Sequence, residues 1–280
     1  MNIQRKPEWL RKKVNPGEQS EMRSLLGELR LNTVCQQALC PNISECFACG
    51  QATFLILGRN CTRLCSFCNV EKTAPQPVDR DEPARVAEAV ARLKLSHVVI
   101  TSPTRDDLPD GGARLYAATV AAIRCSSPAT RIELLIPDFQ GDVPSLEMVV
   151  ASHPDIIAHN VETVPRLYQI RSGADYARSL ELLRVCAEMV PEIRTKSGIM
   201  LGMGELEPEV LQVLKDLRDA DCDYLSIGQY LAPSRLHYPV QEYVAPELFE
   251  TLRLQALEMG FSHVESGPYV RSSYHAGKYA

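Results

Sequence analysis

Short apolar runs alternate with helical patterns six times along this chain of 280 residues. The runs have strand length and lie at 53–58, 97–101, 131–136, 155–159, 195–201 and 224–227. Helical patterns follow them, at 81–93, 113–123, 145–150, 176–189, 207–217 and 246–259. Because such alternation favours parallel strands joined by right-handed crossovers, it predicts an α/β fold, a partial TIM-type barrel of six strand–helix units, (β/α)6.

Composition and charge exclude several classes of protein. The chain is 45% hydrophobic and 23% charged, which is typical of a globular rather than a disordered protein. Its net charge of −5 provides no positive field for nucleic acid or an anionic membrane. No apolar run approaches the roughly 20 residues that span a bilayer, and the first residues lack the character of a signal peptide. We therefore predict a cytoplasmic protein that binds neither nucleic acid nor a membrane.

The cysteines are concentrated in one short segment. Seven of the ten lie within residues 35–68. In a reducing compartment, a dense group of cysteines indicates metal ligation rather than disulfide pairing. Spacing divides the group into two triads and one surplus thiol. The triads are C-x4-C-x5-C, formed by Cys35, Cys40 and Cys46, and C-x3-C-x2-C, formed by Cys61, Cys65 and Cys68.

Each triad offers three thiolate ligands rather than four. A structural zinc site generally takes four closed ligands, so zinc is the weaker alternative. The cysteine ladder of two-cluster ferredoxins does not fit either triad. A C-x3-C-x2-C loop can instead hold three corners of a 4Fe–4S cube and leave the fourth iron open. The surplus thiol, Cys49 in C-F-A-C-G, is interpreted as a buried bystander.

The loop C-T-R-L-C-S-F-C, with an aromatic residue before its last cysteine, resembles that of the radical S-adenosylmethionine (SAM) superfamily. The resemblance implies a 4Fe–4S cluster on Cys61, Cys65 and Cys68 whose open iron binds SAM. It also implies reductive cleavage of SAM to a 5′-deoxyadenosyl radical. Catalytic residues of such barrels lie on loops after the carboxyl ends of strands, and this loop directly follows the first predicted strand.

Polar residues after the later strands predict the rest of the SAM pocket. The segment G-I-M-L-G-M-G-E at 198–205 resembles the superfamily's G-x-I-x-G-x-x-E element, whose glycines allow the backbone to approach the adenosyl group closely. For any one position taken alone, ordinary turn or cap chemistry is the alternative interpretation. The candidate SAM-binding residues are Phe67, Thr101, Asn160, Glu162, Gly198 and Gly202.

A larger set of ordered motifs resembles the lipoyl synthase family. Besides the upstream triad, it includes T-R-D-D-L-P-D-G-G-A, H-N-V-E-T-V-P-R-L-Y, R-S-G-A-D-Y, I-G-Q-Y-L and a terminal R-S-S-Y-H-A. The resemblance implies that the upstream triad holds an auxiliary 4Fe–4S cluster whose fourth ligand is a serine of R-S-S-Y. We assign that ligand to Ser273, with Ser272 as the alternative.

The same resemblance implies a reaction, cofactors and partners. Two sulfur atoms would be inserted at C6 and C8 of an octanoyl group on a carrier lysine, with the auxiliary cluster as sulfur donor. Unactivated C–H bonds offer no acidity, so acid–base side chains cannot perform this step. The implied cofactors are SAM and two 4Fe–4S clusters. The implied partners are octanoylated lipoyl carrier domains (glycine cleavage H protein, dihydrolipoyl acyltransferase subunits), an electron donor such as ferredoxin or flavodoxin, and an iron–sulfur carrier for cluster repair. The implied catalytic residues are Cys61, Cys65, Cys68 and Ser273.

The predicted organisation has three parts. An N-terminal extension with the auxiliary-cluster cysteines covers 1–52, the radical SAM partial barrel covers 53–260, and a tail with R-S-S-Y covers 261–280. One alternative function is another radical SAM sulfur-inserting enzyme, similar to biotin synthase or a methylthiotransferase, but the upstream triad and the tail argue against it. A second is a non-catalytic iron–sulfur or zinc scaffold, which predicts four protein ligands per metal site.

Overall fold

A computed structural model describes residues 6–12, 20–274 and 276–279 of the chain. The strands of this part form one eight-stranded sheet in sequential order. The first strand, β1, is antiparallel to β2, and each later strand is parallel to the one before it. The strands are β1 Asn32–Thr33, β2 Thr53–Leu55, β3 His97–Thr101, β4 Arg131–Leu135, β5 Ile156–Ala158, β6 Arg194–Leu201, β7 Tyr224–Gln229 and β8 His263–Gly267.

Three helices lie in the N-terminal extension and six follow the strands of the described chain. They are α1 Ser20–Glu28, α2 Val34–Gln37, α3 Ile43–Ala48, α4 Glu82–Leu93, α5 Ala113–Ser126, α6 Val143–Val150, α7 Tyr176–Met189, α8 Glu207–Asp219 and α9 Pro246–Glu258. In α4, Pro83 occupies the first turn, Val86 and Val90 are fully buried, and Lys94 ends the helix in the left-handed conformation. The apolar face of α4 thus packs toward the sheet.

The α/β barrel prediction is confirmed, with shifts at some strand ends. The run at 53–58 was predicted as one strand, but β2 ends at Leu55. Leu57 and Gly58 have φ values of 66° and 86°, so the chain leaves the sheet there. Extended pairing cannot continue through left-handed residues.

Two strands lie outside the six predicted ones. β8, read as H-V-E-S-G, has a single buried apolar residue, Val264, and β1 is only two residues long. Neither carries the apolar run from which a strand is predicted. β8 falls within the segment 261–280 that was predicted as a tail, and it extends the parallel sheet beyond β7.

The segment after β8 packs back onto the barrel. A Cβ at Gly228 of β7 would lie 2.2 Å from the Val270 carbonyl oxygen, so only glycine permits this crossing. Beyond it, Ala276 packs with Val99 of β3 and Ile156 of β5. The tail therefore returns the R-S-S-Y residues to the barrel. Of the two predicted extensions, residues 1–5, 13–19, 275 and 280 lie outside the described residues.

Within the described ranges, none of the helices combines the length and the apolarity needed to cross a bilayer.

Candidate active site

The loop that carries Cys61, Cys65 and Cys68 follows β2 and is held by backbone hydrogen bonds. The amide of Cys61 donates to the Glu71 carbonyl at 2.7 Å, and that of Thr62 donates to the Thr104 carbonyl at 3.0 Å. Lys72 Nζ donates to the Cys65 carbonyl at 2.8 Å. All three thiols are half-buried. The loop is thus fixed at the edge of the sheet where the parallel strands end.

Arg63, inside the cysteine loop, is its main anchor. Its guanidinium binds Asp106 at 2.8 Å and Asp138 at 2.6 Å, and its side chain is only 8% exposed. Burial opposes the charge of Asp138, yet Arg63 holds the pKa of that carboxyl down at about 2. Sequence reasoning did not single out Arg63, although its position in C-T-R-L-C was visible. We conclude that a buried ion-pair network fixes the cysteine loop to the segments that follow β3 and β4.

A cavity of about 390 Å³, here called the interior cavity, lies against β6 and β7. Phe67 and Cys68 of the loop line it, and so do Cys35, Cys40 and Ser273. One space therefore contacts residues of both cysteine triads. Cys61 and Cys65 are not among its lining residues.

Three predicted SAM-binding residues, Asn160, Glu162 and Gly198, also line the interior cavity. The Asn160 amide donates to Glu162 Oε1 at 3.1 Å, and the Glu162 amide donates to the Gly198 carbonyl at 2.9 Å. Burial raises the pKa of Glu162, although Arg171 acts in the opposite direction. A Cβ at Gly198 would lie 2.9 Å from Asn160 Oδ1, so this polar wall requires glycine there.

Two other predicted SAM-binding residues are turned away from the interior cavity. The Thr101 hydroxyl donates to the Leu135 carbonyl at 2.9 Å and is buried in the sheet. At Gly202, with φ of 96°, a Cβ would lie 2.3 Å from the Glu242 carbonyl. Glycine there serves close backbone packing. Neither residue lines the cavity, and their roles stay predictions.

The upstream triad lies on two short helices and their connection. Cys35 is on α2, whose N-cap Thr33 accepts a hydrogen bond from the Gln36 amide at 3.3 Å, and Cys46 is on α3. The Cys40 amide donates to the Cys35 carbonyl at 3.0 Å. A second cavity of about 190 Å³, here called the auxiliary cavity, is lined by all three thiols.

The two serines of R-S-S-Y differ in the cavities that they line. Ser273 lines the auxiliary cavity and the interior cavity, and its Oγ accepts a hydrogen bond from Thr53 Oγ1 at 2.7 Å. Ser272 lines only the interior cavity and donates to Asn160 Oδ1 at 3.1 Å. Of the two serines, Ser273 alone thus shares a cavity with all three thiols, Cys35, Cys40 and Cys46.

Residues of the N-terminal extension bind the C-terminal tail through an ion pair and hydrogen bonds. Lys12 Nζ lies 2.5 Å from Glu45 Oε2 and 5.1 Å from the centre of the Tyr269 ring. The Tyr274 hydroxyl donates to Glu45 Oε1 at 2.9 Å, and the Asn42 amide donates to the Tyr269 carbonyl at 2.7 Å. These contacts connect α3 to the chain end.

The donor sets fit iron–sulfur clusters in their chemistry. Burial raises the pKa of Cys35 to about 11 and the pKa values of Cys46 and Cys68 to about 12. Thiols with such pKa values stay protonated unless a metal displaces the proton. Among the described residues, no three Cys, His, Asp or Glu side chains are grouped as ligands of a single metal ion. Cluster ligands differ from these, since each binds its own iron.

Comparisons with known proteins agree with this geometry. The model of the radical SAM superfamily matches residues 55–229, which defines the class of the barrel and its cysteine loop. Methylornithine synthase has the same fold, with a TM-score of 0.58 and 15% identity over 88% of this chain and 81% of that one. SuiB of Streptococcus suis, bound to S-adenosylmethionine, superimposes with a TM-score of 0.60 and 12% identity, and the match covers 89% of this chain and 60% of SuiB.

Curated relatives at much higher identity show which family within the radical SAM class this chain belongs to. Lipoyl synthase of Trichlorobacter lovleyi is 69% identical over 100% of both chains. Lipoyl synthase of Geobacter metallireducens is 68% identical over 100% of this chain and 99% of its own length. That of Alkaliphilus metalliredigens is 56% identical over 99% of this chain and 97% of its own length. The chain belongs to the lipoyl synthase family. This confirms the resemblance and the prediction of a sulfur-transferring enzyme with SAM and 4Fe–4S clusters as cofactors, and the other sulfur-inserting families are not favoured.

Proposed function

We propose that the chain inserts two sulfur atoms at C6 and C8 of an octanoyl group carried on a protein lysine, and that the sulfur comes from an auxiliary cluster. The observation that carries the proposal is the interior cavity, whose lining includes Cys68 of one triad and also Cys35, Cys40 and Ser273. A substrate in that cavity would lie between the two cysteine triads. Such positioning accounts for a large part of the rate enhancement that enzymes achieve.

Each triad would hold one 4Fe–4S cluster. Cys61, Cys65 and Cys68 hold the first, with Phe67, Thr101, Asn160, Glu162, Gly198 and Gly202 proposed as SAM contacts. With cluster and SAM bound, the cofactors supply the one-electron chemistry that breaks an unactivated C–H bond. Arg63 keeps the cysteine loop fixed through Asp106 and Asp138. The protein contributes position rather than acid–base catalysis.

The interior cavity is suited to an acyl chain. Its lining includes the apolar side chains of Val34, Ala38, Leu135, Ile199, Met200 and Leu231. Each methylene that leaves water for such a surface contributes about 0.8 kcal/mol, so the chain of an octanoyl group binds there without polar contacts. Leu39 lines the same cavity and is 64% exposed. A lysine-linked chain would enter past Leu39, while water is excluded further inside.

Ser273 completes the proposed auxiliary site as an oxygen ligand. A serine oxygen is a poorer match for cluster iron than a thiolate, so the iron it binds is the easiest to release. Releasing that iron would free the neighbouring sulfide for transfer.

We expect Ser273→Cys to retain the auxiliary cluster but to slow sulfur insertion about tenfold, because a thiolate holds the labile iron more tightly. Single-turnover kinetics with an octanoyl-lysine peptide measure the effect. Ser262→Cys, at an exposed serine that lines neither cavity, is the matched control and is expected to insert sulfur at the native rate. Native kinetics in Ser273→Cys would contradict the role of this serine.

The proposed partners follow from the reaction. The acyl group would arrive on the carrier domains of glycine cleavage H protein and of dihydrolipoyl acyltransferase subunits, in the cytoplasm. Reduction needs an electron donor of the ferredoxin or flavodoxin type, and a cluster that is spent needs an iron–sulfur carrier to replace it. We also retain the division into 1–52, 53–260 and 261–280 as a proposal.

The reaction is tested with reduced protein, SAM and an octanoyl-lysine peptide under anaerobic conditions. We expect 5′-deoxyadenosine and a peptide that carries two additional sulfur atoms, measured by mass spectrometry. If SAM is cleaved while the peptide gains no sulfur, the sulfur-insertion proposal is wrong and the radical SAM class remains.

A further inference from the structure

Cys49 is a fourth cysteine at the auxiliary cavity. It ends α3 one helical turn after Cys46, and its amide donates to the Glu45 carbonyl at 3.1 Å. It lines the same cavity as Cys35, Cys40 and Cys46. The prediction that Cys49 is buried is wrong, because Cys49 is exposed, whereas Cys35 is buried and the other two thiols are half-buried. Of the four thiols that line this cavity, Cys49 is thus the most exposed and Cys35 the most buried.

His97 indicates that this cavity is built to hold a ligand. Its side chain, at the start of β3, is only 6% exposed and lines the auxiliary cavity. Neither ring nitrogen has a hydrogen-bond partner among the described residues, although Nε2 is 3.4 Å from Glu133 Oε2. Nε2 is at ion-pair distance from Glu133, whereas Nδ1 has no partner among the described residues. Buried polar groups in native proteins are nearly always hydrogen-bonded, so the unpartnered Nδ1 points to an occupant of the cavity.

We propose that Cys49 is the entry thiol of the auxiliary site, which captures an incoming iron–sulfur cluster and passes it to Cys35, Cys40 and Cys46. The proposal rests on the proposed function, in which that cluster is spent and must be replaced. An exposed thiol reaches a cluster that is still bound to its donor, which a buried thiol cannot. Cys49 stands one turn from Cys46, so the cluster moves only a short distance inward.

The transfer is a ligand exchange without change in oxidation state. One iron–sulfur bond to the donor breaks as the bond to Cys49 Sγ forms, and the proton of the Cys49 thiol passes to the departing donor thiolate. In the second exchange the Cys46 thiol replaces Cys49 and returns a proton to it. The thiols must lose their protons on binding, as in any thiolate metal site. Ser273, which lines the same cavity, then completes the site.

The test measures cluster uptake rather than catalysis. Protein that has been through one turnover is mixed anaerobically with a synthetic iron-57 4Fe–4S cluster bearing four 2-mercaptoethanolate ligands, and bound iron-57 is followed by Mössbauer spectroscopy. We expect Cys49→Ser to take up the cluster about tenfold more slowly than the native chain, because a hydroxyl is a weak ligand for cluster iron. Cys125→Ser is the matched control, since Cys125 is also exposed and lines neither cavity.

The outcomes separate this inference from the proposed function. Equal uptake by the native chain and Cys49→Ser would overturn the entry role alone. If Cys49→Ser cannot hold the auxiliary cluster even after prolonged anaerobic reconstitution with excess iron and sulfide, Cys49 is a permanent ligand and the entry role is also overturned. If the native chain has lost no auxiliary iron after turnover, the proposed consumption of the cluster fails instead.

Discussion

Cys61→Ala is expected to lose about four of about eight iron atoms per chain and all SAM cleavage, whereas Cys35→Ala loses a different four and retains SAM cleavage. The reason is that the two thiols belong to separate triads, one on the loop after β2 and the other on α2. Removal of one of three thiolates leaves too few ligands to hold a cluster. Iron counting and 5′-deoxyadenosine release, both under anaerobic conditions, measure the two effects.

The control for these variants is Cys222→Ala, which removes a buried thiol of the barrel that lines neither cavity. It is expected to keep about eight iron atoms. Loss of all iron in Cys35→Ala, or retention of all iron in Cys61→Ala, would contradict the division into two independent sites.

Lys196→Met is expected to reduce the free energy of unfolding by about 3–5 kcal/mol, since it leaves a carboxylate buried without its cation. Lys196 Nζ lies 2.9 Å from Glu133 Oε1, and both side chains are 0% exposed within the barrel. Burial acts to raise the pKa of Glu133, but the nearby Lys196 ammonium lowers it. Burial lowers the pKa of Lys196, against the attraction of the Glu133 carboxylate, so each charge of the pair depends on the other. Urea titration monitored by circular dichroism measures the loss.

The double variant Glu133→Leu with Lys196→Met separates lost charge pairing from lost packing. Because the uncompensated charge is gone, we expect it to recover most of the stability that Lys196→Met loses. A double variant as unstable as the single one would show that the ion pair is not the cause.

Regular elements with strong patterns were predictable from the sequence. Runs such as H-V-V-I-T define β3 because the four residues after His97 are all β-branched. β8 was not predictable, since its sequence H-V-E-S-G is mostly polar, although it pairs with β7 in the folded sheet. Its existence depends on tertiary contacts rather than on local preference.

The sequence yields a predicted ligand set for the candidate site, which stays a prediction, but it does not yield the contacts that support the site. Cysteine spacing predicted the two triads, and the family resemblance supplied Ser273. The contacts of Arg63 with Asp138 and of Lys12 with Glu45 join residues far apart in sequence. No periodicity or motif encodes such a pair, so it becomes visible only in three dimensions. The surface position of Cys49 was missed for the same reason.

Isotope labelling of the auxiliary cluster tests the central claim most directly. The chain is assembled with sulfur-34 in its clusters and is allowed one turnover with SAM and an octanoyl-lysine peptide in natural-abundance sulfide. We predict a peptide whose two inserted sulfur atoms are both sulfur-34, with matching loss of labelled sulfide from the protein. A peptide that contains only sulfur-32 would contradict the account, because the sulfur would then have come from solution.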